Sequence, residues 1–173
     1  MTTSDTQWQN RIVEHGQIKA SAVQFHPQNP RIHPDAQRRA TAGSLDSLGQ
    51  LKSIIINQRN GLLVDGHDRV SLALTQNPDM LLNVEYVDIS DDEHKQALLV
   101  LDYIVTMADY DRDNAESLMQ AINSDDARMQ ALFAGIGDEL QLNIPEDFPE
   151  YDEGIADSVE MCTCPNCGHE FPK

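Results

Sequence analysis

The sequence predicts an α+β domain, a small mixed sheet with flanking helices, followed by a helical segment, an acidic linker and a short cysteine-rich tail. Three observations predict it. Ser53–Arg59 and Leu62–Asp65 are β-rich runs separated by Asn60-Gly61, the strongest short hairpin signal a sequence carries. Leu82–Ile89 alternates apolar and polar residues, as a further strand does. Helical spacing opens at His67 directly after Asp65-Gly66, and Ser90-Asp91-Asp92-Glu93 and Asp113-Asn114-Ala115-Glu116 read as capping boxes that start two more helices.

In chain order, Trp8 to Gly16 reads as a polar lead-in whose Trp8 and Ile12 could pack onto the domain. Ile18 to Phe25 has strand character. His26 to Pro34 contains Pro27, Pro30 and Pro34, which exclude a regular helix or central strand. This loop offers Asn29, Arg31 and His33, or serves as a rigid linker. Asp35 to Leu48 reads as a helix, with Pro34 or Asp35 at its start and Gly49 as its stop. The hairpin follows, and its second arm feeds a helix from His67 to Gln76 that stops before Asn77-Pro78. After the strand at 82–89, a helix starts at Asp91. It carries Ala97, Leu98, Val100, Leu101, Ile104 and Val105, which predicts a middle buried on most sides. Asp102 interrupts this run: a buried carboxylate needs a partner or a function, unless it sits half-exposed near the helix end. The next helix carries Leu118, Met119 and Ile122. A last one starts at Ser124 or Asp125 and ends at Gly135 or Gly137.

The expected division is a folded domain over 8–135, a linker over 136–160 and a tail over 161–173. Residues 138–160 hold nine Asp/Glu and no Lys/Arg, so the stretch repels itself and extends.

Charge narrows the function classes. The net charge is −17. Residues 1–70 carry eight Lys/Arg against six Asp/Glu, and residues 71–173 carry four against twenty-three. Such an acid balance is repelled by phosphodiester backbones, which argues against broad non-specific DNA binding and assigns any nucleic-acid or nucleotide contact to the N-terminal half. No run approaches the ~18 apolar residues of a membrane span. The first ten residues hold no apolar signal-peptide core, and the three cysteines cluster between 162 and 167 instead of forming a disulfide framework. The expectation is a cytoplasmic protein.

Two stretches carry chemistry. In Val64-Asp65-Gly66-His67-Asp68-Arg69 a strand turns into a helix, so the free N–H groups of the first helical turn favour an anion. Arg69 adds a planar donor fork suited to phosphate. Asp65 and His67 flank it as proton-handling groups. The plainer reading is a strand–helix corner with Asp65 capping the helix and Arg69 in solvent. In the tail, Cys164-Pro165-Asn166-Cys167-Gly168 is a zinc-knuckle half-site, with Cys162 and His169 as candidates to complete it. Four ligands within eight residues can only just wrap one ion, so a site shared between two chains or with a partner competes. An unmetallated remnant is the third reading.

Asn29-Pro30-Arg31-Ile32-His33, a helix ending Ser47-Leu48-Gly49, Ile54-Ile55-Ile56-Asn57, Val64-Asp65-Gly66-His67-Asp68-Arg69 and an acid-capped helix with Leu101-Asp102 occur in this order. Over Trp8 to Ile122 the chain resembles the ParB N-terminal/sulfiredoxin-like fold. It is most similar to small ParB-like nuclease-domain proteins of phages and mobile elements, some found beside DNA methyltransferases. In that family the turn Gly-Glu-Arg-Arg binds the triphosphate of CTP, and relatives use the fold for ATP-dependent chemistry or DNA cleavage. Gly66-His67-Asp68-Arg69 takes that place, with His67 for the Glu and Asp68 for the first Arg. The later Glu-Asn-x-x-Arg segment appears as Leu101-Asp102-Tyr103-Ile104-Val105, so two phosphate ligands are missing. The chain shows no helix-turn-helix reader and no cysteine at the turn, which sulfiredoxin chemistry requires.

The resemblance implies a nucleotide-binding module in phage or mobile-element DNA metabolism, working in the host cytoplasm if phage-encoded, with nuclease or phosphotransfer activity as its chemistry. The candidate phosphate-binding residues are Asn29, Arg31, His33, Gly66 and Arg69. The candidate catalytic residues are His67, Asp65 and Asp102. A nucleoside triphosphate with Mg²⁺ and a tail Zn²⁺ on Cys162, Cys164, Cys167 and His169 are the implied cofactors. DNA would be reached through the N-terminal half or a partner, and a homodimer is one arrangement. The competing reading is a non-enzymatic adaptor, docking a methyltransferase or terminase through its acidic half and zinc tail. An acidic DNA mimic is a third.

Overall fold

The computed structural model describes residues 8–142, 161–163 and 170–172. The elements are β1 (Ile12–Lys19), a 3₁₀ turn (Ala20–Ala22), α1 (Asp35–Leu48), β2 (Ile54–Asn57), β3 (Leu63–Asp65), α2 (His67–Gln76), β4 (Leu81–Val87), α3 (Asp91–Val105), α4 (Arg112–Ala121) and α5 (Ala127–Leu140). A second unit, Asn143–Lys173, contains β5 (Met161–Thr163) and β6 (Glu170–Pro172), paired antiparallel with Cys162 opposite Phe171. Cys164, Cys167 and His169, three of the expected zinc ligands, lie outside the described residues.

β2 and β4 form the middle of the sheet because both present alternating apolar side chains to one face. Ile54 and Ile56 of β2, and Leu82 and Val84 of β4, are buried, and the two strands run parallel with Ile54 opposite Val84. Parallel neighbours need a crossover, and α2 supplies it. β3 and β1 close the edges antiparallel, giving the order β1-β4-β2-β3. α2 lays Val70 and Ala73 over this face, where they join Leu63, Ala20 and Val23 in the core. α1 packs on α2 and on α5. The α1–α5 approach is close: a Cβ on Gly43 would lie 2.9 Å from Arg128 Cβ.

The expected hairpin, α1 and α2 form over the expected residues. The hairpin loop is longer than two residues. Gly61 N–H donates to Asn57 O at 2.8 Å, Gly61 has φ 71°, and the Asn60 side chain accepts from Leu62 N–H. The Ser90–Glu93 capping box is present with both of its bonds.

Several expectations are corrected. The first strand is Ile12–Lys19, not Ile18–Phe25, and Trp8 is exposed instead of packed. β1 is solvent-facing along nearly its whole length, so it carries no apolar alternation to read. α4 is capped by Asp111, whose carboxylate accepts from Asn114 N–H, two residues before the expected box. α5 is capped by Asp126 and continues through Gly135 and Gly137, the glycines expected to end it, to Leu140. The middle of α3 is not buried on most sides. Only His94 and Leu98 are buried, while Leu99, Tyr103 and Val105 stand 65, 66 and 70% exposed.

Candidate functional site

The strand-to-helix turn after β3 is built on one glycine. Gly66 takes φ 100° and ψ 19°, a left-handed conformation that glycine alone adopts without strain. Space reinforces the choice, because a Cβ there would meet Ile54 Cγ2 at 2.7 Å. Gly66 is the N-cap of α2 and no side chain caps the helix. The expectation that Asp65 caps it is therefore corrected: Asp65 turns away to Lys52 Nζ at 3.1 Å and Arg69 Nη2 at 3.0 Å.

Arg69 is neither in solvent nor free. Its Nη1 donates to the backbone carbonyls of Lys52 and Ser53, and its Nη2 to Asp65. It ties the approach to β2 against the start of α2. This is a structural use of the donor fork that the sequence reading reserved for phosphate.

The turn forms the floor of a cleft of about 450 Å³. One wall is α1, through Gln37, Thr41 and Ser44, and another is Lys52. Arg31 and His33 come from the proline-rich loop, and Asp102 reaches in from α3. The structure thus gathers Arg31, His33, Asp65, Gly66, His67, Arg69 and Asp102 around one space. Asn29 does not line it. Its Oδ1 accepts from Arg31 N–H at 3.3 Å, so it shapes the loop that delivers Arg31.

The charges in the cleft are mostly spent on each other. Arg31 Nε lies 2.6 Å from Asp102 Oδ2, with both side chains about one-third exposed. Asp65 answers both Lys52 and Arg69. Against these pairs stand buried atoms without hydrogen-bond partners: His33 Nε2, His67 Nε2 and both carboxylate oxygens of Asp68. His33 Nδ1 lies 3.1 Å from Gln37 Oε1. His67 is buried against the Phe25 ring, 5.9 Å between centroids. Burial pushes its pKa down to about 4, and Asp65 nearby offsets only part of that. His67 is therefore neutral at pH 7, able to accept a hydrogen bond but a weaker base than a free imidazole. That burial narrows the proton-handling role expected of His67.

Two residues escaped the sequence reading. Asp68 sits in the first turn of α2, 7% exposed, with Arg38 Nε 3.6 Å from Oδ1 as its nearest cation. His94 is fully buried beneath the hairpin. Its Nε2–H donates to Leu63 O at 3.3 Å, and Nδ1 accepts from the Asn57 and Asn60 amides at 3.4 Å each. A carbonyl can only accept, so this tautomer follows, and burial lowers the His94 pKa. The His26 ring packs on it at 4.5 Å. His94 falls at the inward position of α3 four residues after Ser90, which is the one signal the sequence held for it.

Comparison with known proteins bears on the fold. No family model and no curated protein matches the chain. Among solved structures, the C-terminally truncated chromosome-partitioning protein ParB of Caulobacter crescentus, complexed with CTP-γ-S, is similar with a TM-score of 0.53 at 13% identity. The match covers 76% of this chain and 73% of that one. The fold is ParB-like. Two structures of a pNOB8-like ParB N domain are also similar, at 13 and 12% identity and a TM-score of 0.45 each. The chain spans 59 and 56% of their lengths. Among the described residues no helix is long and apolar enough to cross a membrane.

Proposed function

We propose that this protein is a ParB-like nucleotide-binding module, and that the nucleotide's phosphates seat in the cleft at the start of α2. The observation that carries this reading is the uncapped N-terminus of α2, opened by left-handed Gly66 into a cleft of nucleotide-compatible size. The ParB-like fold of a neighbour complexed with CTP-γ-S supports it. Arg31 and Lys52 are the cations closest to solvent there, and each reaches a ligand by leaving its carboxylate partner. The associated chemistry is nucleotide hydrolysis or DNA cleavage in phage or mobile-element DNA metabolism, with neutral His67 accepting a hydrogen bond from the attacking water and Asp65 and Asp102 as the flanking carboxylates. In the tail, Cys162, Cys164, Cys167 and His169 hold zinc in this reading. Calorimetric titration of the full chain with ATP, CTP, GTP and UTP, each with Mg²⁺, tests it. Saturable binding of at least one that weakens in Arg31→Ala is expected, and no binding of any of the four overturns it.

The adaptor reading is favoured by a different observation, the row of exposed apolar side chains on the outer half of α3. Large apolar residues in such a concentration mark an interaction surface. A DNA-processing partner such as a methyltransferase or terminase would dock there, with the acidic half of the chain setting its charge preference. Pull-down against purified candidates, with Leu99→Ser/Tyr103→Ser as the control, separates the two readings.

A further inference from the structure

Asn60-Gly61 is the sole Asn-Gly step in the sequence, and both residues are exposed at the tip of the hairpin. With no side chain on residue 61, its main-chain nitrogen is unhindered for attack on the Asn60 side-chain carbonyl carbon, which holds for no other asparagine of the chain. The folded loop restrains both reacting groups. Gly61 N–H donates to Asn57 O at 2.8 Å. Asn60 Oδ1 accepts from Leu62 N–H at 3.0 Å, and Asn60 Nδ2 donates to Asp91 Oδ1 at 3.2 Å and to His94 Nδ1 at 3.4 Å. The hairpin and the first turn of α3 are thus joined through a single amide.

We propose that Asn60 is a site of spontaneous deamidation, held off by the folded hairpin, and that its conversion to aspartate or isoaspartate uncouples the hairpin from α3. The Gly61 nitrogen bonds to Asn60 Cγ, the Cγ–Nδ2 bond breaks, and the amide nitrogen leaves as ammonia with the proton that Gly61 gives up. Water then opens the cyclic imide at either carbonyl. The net change exchanges an amide for a carboxylate, with water as co-reactant and nothing oxidised or reduced. Attack needs the Gly61 nitrogen free of its proton and the Asn60 side chain turned toward it, so the bonds just named must open first. The product cannot remake them, because a carboxylate has no donor. It meets Asp91 as a like charge, and it meets the buried His94 Nδ1 as acceptor against acceptor. Isoaspartate also adds a carbon to the main chain between Asn57 and Leu62, where Asn57 N–H donates to Leu62 O at 3.0 Å. α3 carries Asp102 to the cleft, so the change acts on a helix that lines the candidate site.

Two measurements on the full chain test this. In the first, wild type is kept in mildly alkaline buffer with and without denaturing urea, and its peptides are mapped over time by mass spectrometry. In urea Asn60 should convert faster than every other asparagine. In the folded protein its conversion should be at least about tenfold slower, the scale of one hydrogen bond lost on opening. Conversion of folded Asn60 at the unfolded rate overturns the protection, and an unfolded Asn60 no faster than the other asparagines overturns the site. In the second, amide hydrogen exchange is compared between wild type and Asn60→Asp. The amides of Leu62 and of the first turns of α3 should exchange at least about tenfold faster in the variant. Exchange equal to wild type overturns the uncoupling. Wild-type protein partly converted by ageing gives the same reading if Asn60→Asp fails to fold.

Discussion

Arg31 and Asp102 meet at 2.6 Å across the mouth of the cleft, joining the proline-rich loop to α3. Each is the other's neutralising charge, so neither is available to a ligand while the pair stands. Replacing Asp102 by Asn should release Arg31, tighten nucleotide binding several-fold and cost less than about 1 kcal/mol of stability, because a pair one-third exposed is screened by water. Arg31→Ala should weaken binding. Isothermal titration with chemical denaturation of the same samples checks both, and a weaker-binding Asp102→Asn would mean the carboxylate itself contacts the ligand.

Arg69 behaves differently from Arg31. Its donors hold the Lys52 and Ser53 carbonyls and Asp65. Arg69→Ala leaves these acceptors unpaired, which should lower stability by roughly 2–4 kcal/mol as well as impair binding. Urea unfolding is the measurement. An Arg69→Ala protein as stable as wild type that has lost only nucleotide affinity would return Arg69 to the role of ligand contact.

The low pKa of His67 sets a pH dependence. Well above pH 6.5 the imidazole is neutral in both folded and unfolded chains and contributes no slope. Between 6.5 and about 4 the unfolded chain takes up a proton that the folded chain refuses, so stability falls as the medium is acidified. The full loss from this residue is up to about 3 kcal/mol at the lower limit, from 1.36 kcal/mol per pKa unit. His94, also depressed, adds in the same direction. His67→Asn should flatten the dependence between pH 7 and 5 in denaturant titrations. The same variant should abolish any nucleotide hydrolysis or DNA cleavage while leaving nucleotide bound. Cleavage at an unchanged rate would assign it to another centre.

The tail should be separable from the ParB-like unit. Residues 161–173 belong to the second unit, and their removal should leave the unfolding midpoint of the first within about 2 °C while eliminating bound zinc. Elemental analysis of protein purified without chelator is decisive. A zinc content well under half an ion per chain would rule out both a one-chain and a two-chain site.

What the sequence made legible follows from where the physics is local. α1 and α2 carry their own stop and start signals at Gly49, Gly66 and Asn77-Pro78, and the hairpin carries Asn60-Gly61. β1 was missed because an edge strand exposed on both faces needs only backbone pairing with β4, and its side chains record nothing of it. The extent of α5 was misread because Gly135 and Gly137 look like stops, although Gly137 is buried in the helix. The site was legible as a place and less so as chemistry. The strand–turn–helix spacing located the cleft, but the engagement of Arg69 and the burial of His67 and Asp68 depend on residues distant in sequence, Lys52, Phe25 and Arg38 among them.

α3 is a beam fixed at one end. Its first turns are held by Arg11 on Glu93, Asn60 on Asp91 and His94 on Leu63. Its outer half rests on the Arg31–Asp102 contact and otherwise shows apolar side chains to water. A load placed on that outer half is therefore felt at the cleft mouth, and a charge placed in the cleft is felt at the beam's tip. Where binding at either place moves this contact, the coupling is equal in both directions. A ligand that shifts the outer half of α3 would then change how readily Arg31 is released, and one that claims Arg31 would change how that face is presented.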